Sequence, residues 1–216
     1  MTADRDMAAA VRLYLDEQRC VLDRFPAQDV VRTAEELFRT YRAGGTVYAL
    51  GNGGNAGTLD HAYADFRVHP FVSEDKSRPV SPGVPRLDFV NLCGSAAELT
   101  ALVNDVGSDL VFASQLAGRA GPDDFVMAYS GSGNSPNVLR ALEVARSAGA
   151  QTFAMTKGSG GRCRELADIC LVVPGTSRFP GQTGANDNNF HFEDAILSVN
   201  HMLVGLLKER VQEAAG

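Results

Sequence analysis

Two glycine-rich stretches and a few histidines hold most of the residues able to do chemistry in this chain. The first stretch, GNGGNAGTLDH, runs from Gly51 to His61. Gly51, Gly53 and Gly54 permit a sharp turn and close backbone approach to a ligand, since glycine takes positive φ without steric cost. Asn52 and Asn55 add amide hydrogen bonds. Ala56 stands where GxGxxG needs a glycine, and no Gly-Lys-Ser/Thr follows, so neither a dinucleotide fingerprint nor a nucleotide-triphosphate loop is present. A tight turn that binds nothing also satisfies these glycines. The second stretch, SGSGNSPNVLRAL, begins at Ser130. Ser135 stands where an N-cap belongs and Pro136 where the first helical residue belongs, so this stretch opens a helix. The positive end of that helix suits an anion. Ser130, Ser132 and Ser135 supply hydroxyl donors there, and Gly131 and Gly133 give backbone access. No Lys or Arg interrupts SGSGNS, so the expected ligand is a monophosphate held by neutral donors; a well-capped helix after a flexible turn is the plainer alternative.

His61 and Asp65 are four residues apart on a predicted helix, so they share a face and can grip one cation. Glu193 and His201 are eight apart, about 12 Å along a straight helix yet close in angular position. One straight helix does not bring both to the same ion. A site using all four needs a bent helix start or a donor from another subunit. Taken singly, each of these histidines also fits an ordinary surface or core position.

The elements that must position these residues follow from the apolar pattern. Val11, Tyr14, Leu15, Leu22 and Phe25 recur at helical spacing, Pro26 interrupts, and Val30, Val31, Ala34, Leu37, Phe38 and Tyr41 resume it, predicting a helical hairpin. Short apolar runs follow at 46–50, 89–92, 125–129, 152–155 and 169–173, with helical stretches between them, clearest at 136–147 and 192–211. Strands alternating with helices predict a parallel sheet with ligands at the strands' carboxyl ends. The proline-bearing stretch 68–87 is expected to be a long loop. The expected organisation is an N-terminal helical segment over 1–42 and one α/β unit over 43–216.

Composition narrows the class. The formal net charge is −6 and no Lys/Arg block gathers the basic residues, which argues against broad binding to nucleic acid or anionic membrane. No apolar run approaches the roughly 18 residues of a membrane span, and the charged N-terminus lacks a signal core, so a cytoplasmic location is expected. Cys20, Cys93, Cys163 and Cys170 show no CxxC spacing and are expected to be reduced, mostly buried thiols.

GNGG followed by His61, the Asn104–Asp105 pair and SGSGNS together resemble the SIS (sugar isomerase) domain, and within it the phosphoheptose isomerase group. The resemblance implies a three-layer α/β sandwich with a five-stranded parallel sheet, preceded by the helical hairpin. It implies that Asn52, Gly53, Gly54, Asn55, Asn104 and Asp105 contact a sugar phosphate, joined by Asp65 and Glu193, while Ser130, Gly131, Ser132 and Ser135 bind its phosphate. It further implies zinc at His61, Asp65, Glu193 and His201, with Asp65 replacing the usual Glu and Glu193 the usual Gln. Asn55 replaces a usual Ser and Gly131 a usual Thr. The implied reaction is aldose–ketose isomerisation, sedoheptulose 7-phosphate to a heptose 7-phosphate through an enediolate. Asp65 and His201 are its candidate proton carriers, in a homotetramer with active sites between subunits. A non-catalytic SIS-domain protein that binds sugar phosphate or a protein partner is the alternative, favoured by the loss of Glu at 65.

Overall fold

The computed structural model describes residues 6–73, 77 and 84–215. Helices α1 (Met7–Asp23) and α2 (Ala27–Ala43) form the expected hairpin, broken at Pro26. Asp6 caps α1 by accepting from the Ala8 amide, and α2 closes on Gly44, whose φ of 72° is the left-handed ending that glycine provides. Strand β1 (Thr46–Gly51) leads into α3 (Gly54–Val68), and β2 (Asp88–Asn91) into α4 (Ala96–Val106). The short α5 (Ala113–Leu116) precedes β3 (Phe125–Tyr129), which feeds α6 (Pro136–Ser147). Then β4 (Gln151–Lys157), α7 (Cys163–Leu166) and β5 (Ile169–Val173) lead to the long α8 (Asn189–Ala215). Of the expected loop at 68–87, Val68 completes α3 and His69–Phe71 form a 3-10 turn; residues 74–76 and 78–83 lie outside the described residues.

All five strands are parallel, in the order β2-β1-β3-β4-β5. Alternate residues of each strand serve opposite cores. Val47, Ala49, Phe125, Met127, Phe153 and Leu171 meet α2, α3 and α8 through Leu37, Phe66 and Leu203. Tyr48, Leu50, Val126, Ala128 and Ala154 face the other way, onto Leu116, Val138, Leu142 and Cys163. Strands covered by helices on both faces must be apolar on both, which is why their sequences read as continuous runs. Only Cys163 is fully buried; Cys20 is exposed and Cys93 and Cys170 are half-buried, which corrects the expectation of mostly buried thiols.

The chain leaves β1 toward β2 on one side and then crosses back to β3 on the other. The reversal opens a crevice at the carboxyl ends of β1 and β3, the place where open parallel sheets bind ligands. GNGG follows β1 and SGSGNS follows β3, so the two chemical loops of the sequence flank this one crevice. Among the described residues no helix is long and apolar enough to cross a membrane.

Candidate active site

Gly53 supplies the turn out of β1 with φ 59°, and α3 begins at Gly54. Asn52 exchanges two hydrogen bonds with Asn137 in the first turn of α6, at 3.0 and 2.9 Å, tying the two loops across the crevice. Asn55 is buried; its amide donates to the Tyr129 carbonyl at 3.3 Å, while its Oδ1 has no partner among the described residues.

In the second loop the Ser130 and Ser135 hydroxyls lie 3.2 Å apart, and the Ser132 hydroxyl accepts from the Asn134 amide. Ser135 makes no side-chain cap to α6, which leaves its hydroxyl, with that of Ser132, near the helix start. Gly133 is required here. Its φ is 64°, and a Cβ would stand 2.0 Å from the Gly160 carbonyl oxygen. Gly131 is closely packed as well: a Cβ there would lie 3.2 Å from both Lys157 Cε and Asn189 Oδ1, side-chain atoms that would have to shift by a few tenths of an ångström. The sequence placed no cation in this loop, yet the fold brings one beside it from the end of β4. Lys157 donates to the carbonyls of Ala185 and Asp187 at 3.0 and 2.7 Å. Burial pushes its ammonium below the ordinary range, and Asp187 offsets part of that.

Asn189 continues the line of polar groups, donating to Glu193 Oε1 at 2.9 Å. The Glu193 carboxylate lies over Gly54, with Oε2 2.8 Å from where a Cβ would be. Helices α3 and α8 pack together, Glu193 at the start of α3 and His201 at its middle.

There the second constellation forms. His61 Nε2 is 2.9 Å from Asp65 Oδ2, His201 Nε2 is 3.5 Å from the same oxygen, and the two imidazole nitrogens are 3.3 Å apart. Three metal-competent atoms thus make a triangle. Tetrahedral zinc with bonds of ~2.0–2.2 Å holds its donors roughly 3.3–3.6 Å apart. The 3.3 and 3.5 Å separations match, the 2.9 Å His61–Asp65 contact would open by a few tenths of an ångström around the ion, and a fourth position is left open. Glu193, expected as the fourth ligand, is not in this group; eight residues of helix carry it to the glycine loop instead. His69, absent from the sequence reading, stands beside the group and not in it: its Nε2 lies 3.4 Å from the other oxygen of Asp65. Asn104 and Asp105 sit on the last turn of α4, exposed and hydrogen-bonded to each other at 2.8 Å.

Residues 13–157 match the SIS domain family. The chain is 32% identical over 196 residues to the phosphoheptose isomerase of Chlorobaculum parvum, covering 91% of this chain and 85% of that one. It is 37% identical over 156 residues to that of Mycobacterium tuberculosis, covering 72% and 74%. Among solved structures, a phosphoheptose isomerase from Francisella tularensis superposes with a TM-score of 0.76 at 24% identity, covering 97% of this chain and all of that one. Phosphoheptose isomerase from Neisseria gonorrhoeae gives 0.70 at 23% identity, with 94% of each chain covered. At those identities the two structures speak to the fold.

Proposed function

The chain belongs to the SIS-domain family and, within it, to the phosphoheptose isomerases, and from that premise we propose that it interconverts sedoheptulose 7-phosphate and a heptose 7-phosphate. The observation that carries the site assignment is the continuity from the serine loop through Asn189 and Glu193 to Gly54, and along α3 to the His61–Asp65–His201 triangle. Gly54 and His61 are seven residues apart on α3, about 10 Å along the axis, a gap that an extended sugar phosphate can bridge.

Charge orients the substrate. The Glu193 carboxylate beside Gly54 repels phosphate and accepts from sugar hydroxyls. The phosphate therefore belongs on the hydroxyls of Ser130, Ser132 and Ser135 and the amides that open α6, with the carbonyl end toward the triangle. Asn52, Gly53, Gly54 and Asn55 line the glycine-loop side.

His61, Asp65 and His201 would hold zinc, which when bound supplies a Lewis acid at the substrate carbonyl. Asp65 and His201, 3.5 Å apart, would also carry the proton between the two carbons of the enediolate. Anchoring the phosphate at a distance keeps those carbons in register with them.

The assembly we propose is a homotetramer in the cytoplasm with active sites at subunit interfaces. His201 opens onto an apolar groove lined by Phe25, Val30, Val31, Met202 and Leu206. Val11, Leu15 and Leu22 of α1 are exposed as well, a run of apolar surface suited to another copy of the chain. Asn104 and Asp105, exposed on α4, are then available to a neighbouring subunit. Turnover of sedoheptulose 7-phosphate by the purified protein, with its zinc content measured on the same sample, tests this function. A protein that binds the phosphosugar and never turns it over would favour the non-catalytic alternative.

A further inference from the structure

The Asp65 carboxylate has two oxygens with different company. Oδ2 faces His61 and His201, whereas Oδ1 faces only the His69 imidazole among the contacts described above. We propose that His69 is a positioning residue for the metal centre: by occupying Oδ1 it keeps Oδ2 aimed at the ion. The proposal rests on the reading that His61, Asp65 and His201 hold a metal.

The backbone makes this contact dependable. His69 follows the last residue of α3 but keeps helical angles, φ −59° and ψ −41°, and its N–H donates to the Asp65 carbonyl. It therefore sits one further turn along the face that carries His61 and Asp65. Pro70 and Phe71 are buried and the turn they form packs against α8, so the segment bearing His69 is anchored on its far side. The Asp65 side chain is 15% exposed, while that of His69 is 42% exposed, so the imidazole shields the carboxylate from the solvent side.

A carboxylate rotates about its last torsion through a broad, two-fold well, so an unheld Asp presents either oxygen to the ion. A partner on one oxygen removes that freedom. Partners of this kind, bonded to a ligand and not to the metal, orient the ligand and set its basicity. His69 Nε2 contacts Asp65 without joining the three-atom group of the triangle, which is the placement such a partner needs.

The test is the Zn²⁺ affinity of the full-length apo-protein, measured by competition with a chromophoric chelator. His69→Ala should weaken Zn²⁺ binding by roughly 10–100-fold, the usual loss for such a partner. His69→Gln, whose amide N–H can take the imidazole's place, should recover most of it. In the zinc-loaded protein His69→Ala should lower kcat and leave KM for the phosphosugar unchanged. Wild-type affinity in His69→Ala overturns the proposal. So does a His69→Gln as weak as His69→Ala, because that would make the imidazole itself a ligand. His61→Ala separates the two levels: if it too binds Zn²⁺ like the wild type, the metal reading fails, whereas if it alone loses zinc, only the role of His69 fails. Should His69→Ala lose cooperative unfolding as the apo-protein, His69→Gln and His69→Glu carry the test, since Glu offers no donor. Gln is expected near wild type and Glu far weaker; equal affinities overturn the proposal.

Discussion

Gly133→Ala probes whether the serine loop is held in one shape by its packing against the next loop. A Cβ at this position would stand 2.0 Å from the Gly160 carbonyl oxygen, 2.6 Å from its carbon and 3.0 Å from the Gly161 nitrogen, all of them backbone atoms. No rotamer change relieves such a contact, so one loop must move by about 1 Å to restore the ordinary separation of carbon and oxygen. The φ of 64° costs a non-glycine residue a further ~1–2 kcal/mol. The Cys163 amide donates to the Gly133 carbonyl at 2.9 Å, and losing that bond adds ~0.5–1.5 kcal/mol. The sum is a destabilisation of at least about 2 kcal/mol. Gly44→Ala is the control: its φ is also positive at 72°, with nothing within 4 Å of the new Cβ, so it should cost only the same ~1–2 kcal/mol of backbone strain. Urea denaturation of both variants isolates the steric part as their difference. A displacement of 1 Å at the phosphate contacts should also cut kcat/KM on the phosphosugar by roughly 100-fold in Gly133→Ala alone. Equal stabilities for the two variants, with wild-type turnover in Gly133→Ala, would refute the argument.

Ser130→Ala with Ser132→Ala should weaken phosphosugar binding by ~1.5–3 kcal/mol for each hydroxyl that bonds the charged phosphate; unchanged calorimetric affinity would remove this loop from the site. Lys157→Met should destabilise the segment before α8, since it strips the donor from the Ala185 and Asp187 carbonyls; hydrogen exchange at 184–188 should rise, and unaltered protection would deny the lysine that role. Glu17 supplies a pH-dependent term. Burial alone would raise its pKa, but hydrogen bonds from the Arg178 amide and the Ser177 hydroxyl, with His191 nearby, bring it below the ordinary 4.5. A lowered folded value stabilises the native state above the unfolded pKa, and the benefit disappears as pH falls through the folded one. The stability advantage of the wild type over Glu17→Gln should therefore be constant above about pH 5 and shrink below 4.5; an advantage independent of pH would contradict the network.

Much of this could be read from residue order because local rules set it. The five apolar runs became the five strands, and Ser135–Pro136 marked the start of α6 at the residue. The pairing of His61 with Asp65 followed from one turn of helix. The eight-residue gap between Glu193 and His201 also foretold that a single straight helix sends them to different places, one to Gly54 and one to the triangle. What escaped was contact between elements distant in sequence. Lys157 reaches the serine loop from another strand, its Cε 3.2 Å from where a Cβ at Gly131 would stand. His69 was hidden for a local reason: it precedes Pro70, and residues before proline are biased away from helical angles, so the helix was not continued to it. Asn104 and Asp105 lie exposed on the last turn of α4, bonded to each other, and residue order alone does not say what they face.

The most direct test of the central claim is isomerisation of sedoheptulose 7-phosphate before exhaustive chelation, after it, and after Zn²⁺ is returned, with metal content measured at each stage. The triangle of His61, Asp65 and His201 requires activity to fall with the metal and to return with it, while the chelated protein still binds the phosphosugar through the serine loop. Full turnover by protein shown to be free of metal would contradict the zinc centre and leave Asp65 and His201 as an acid–base pair acting alone.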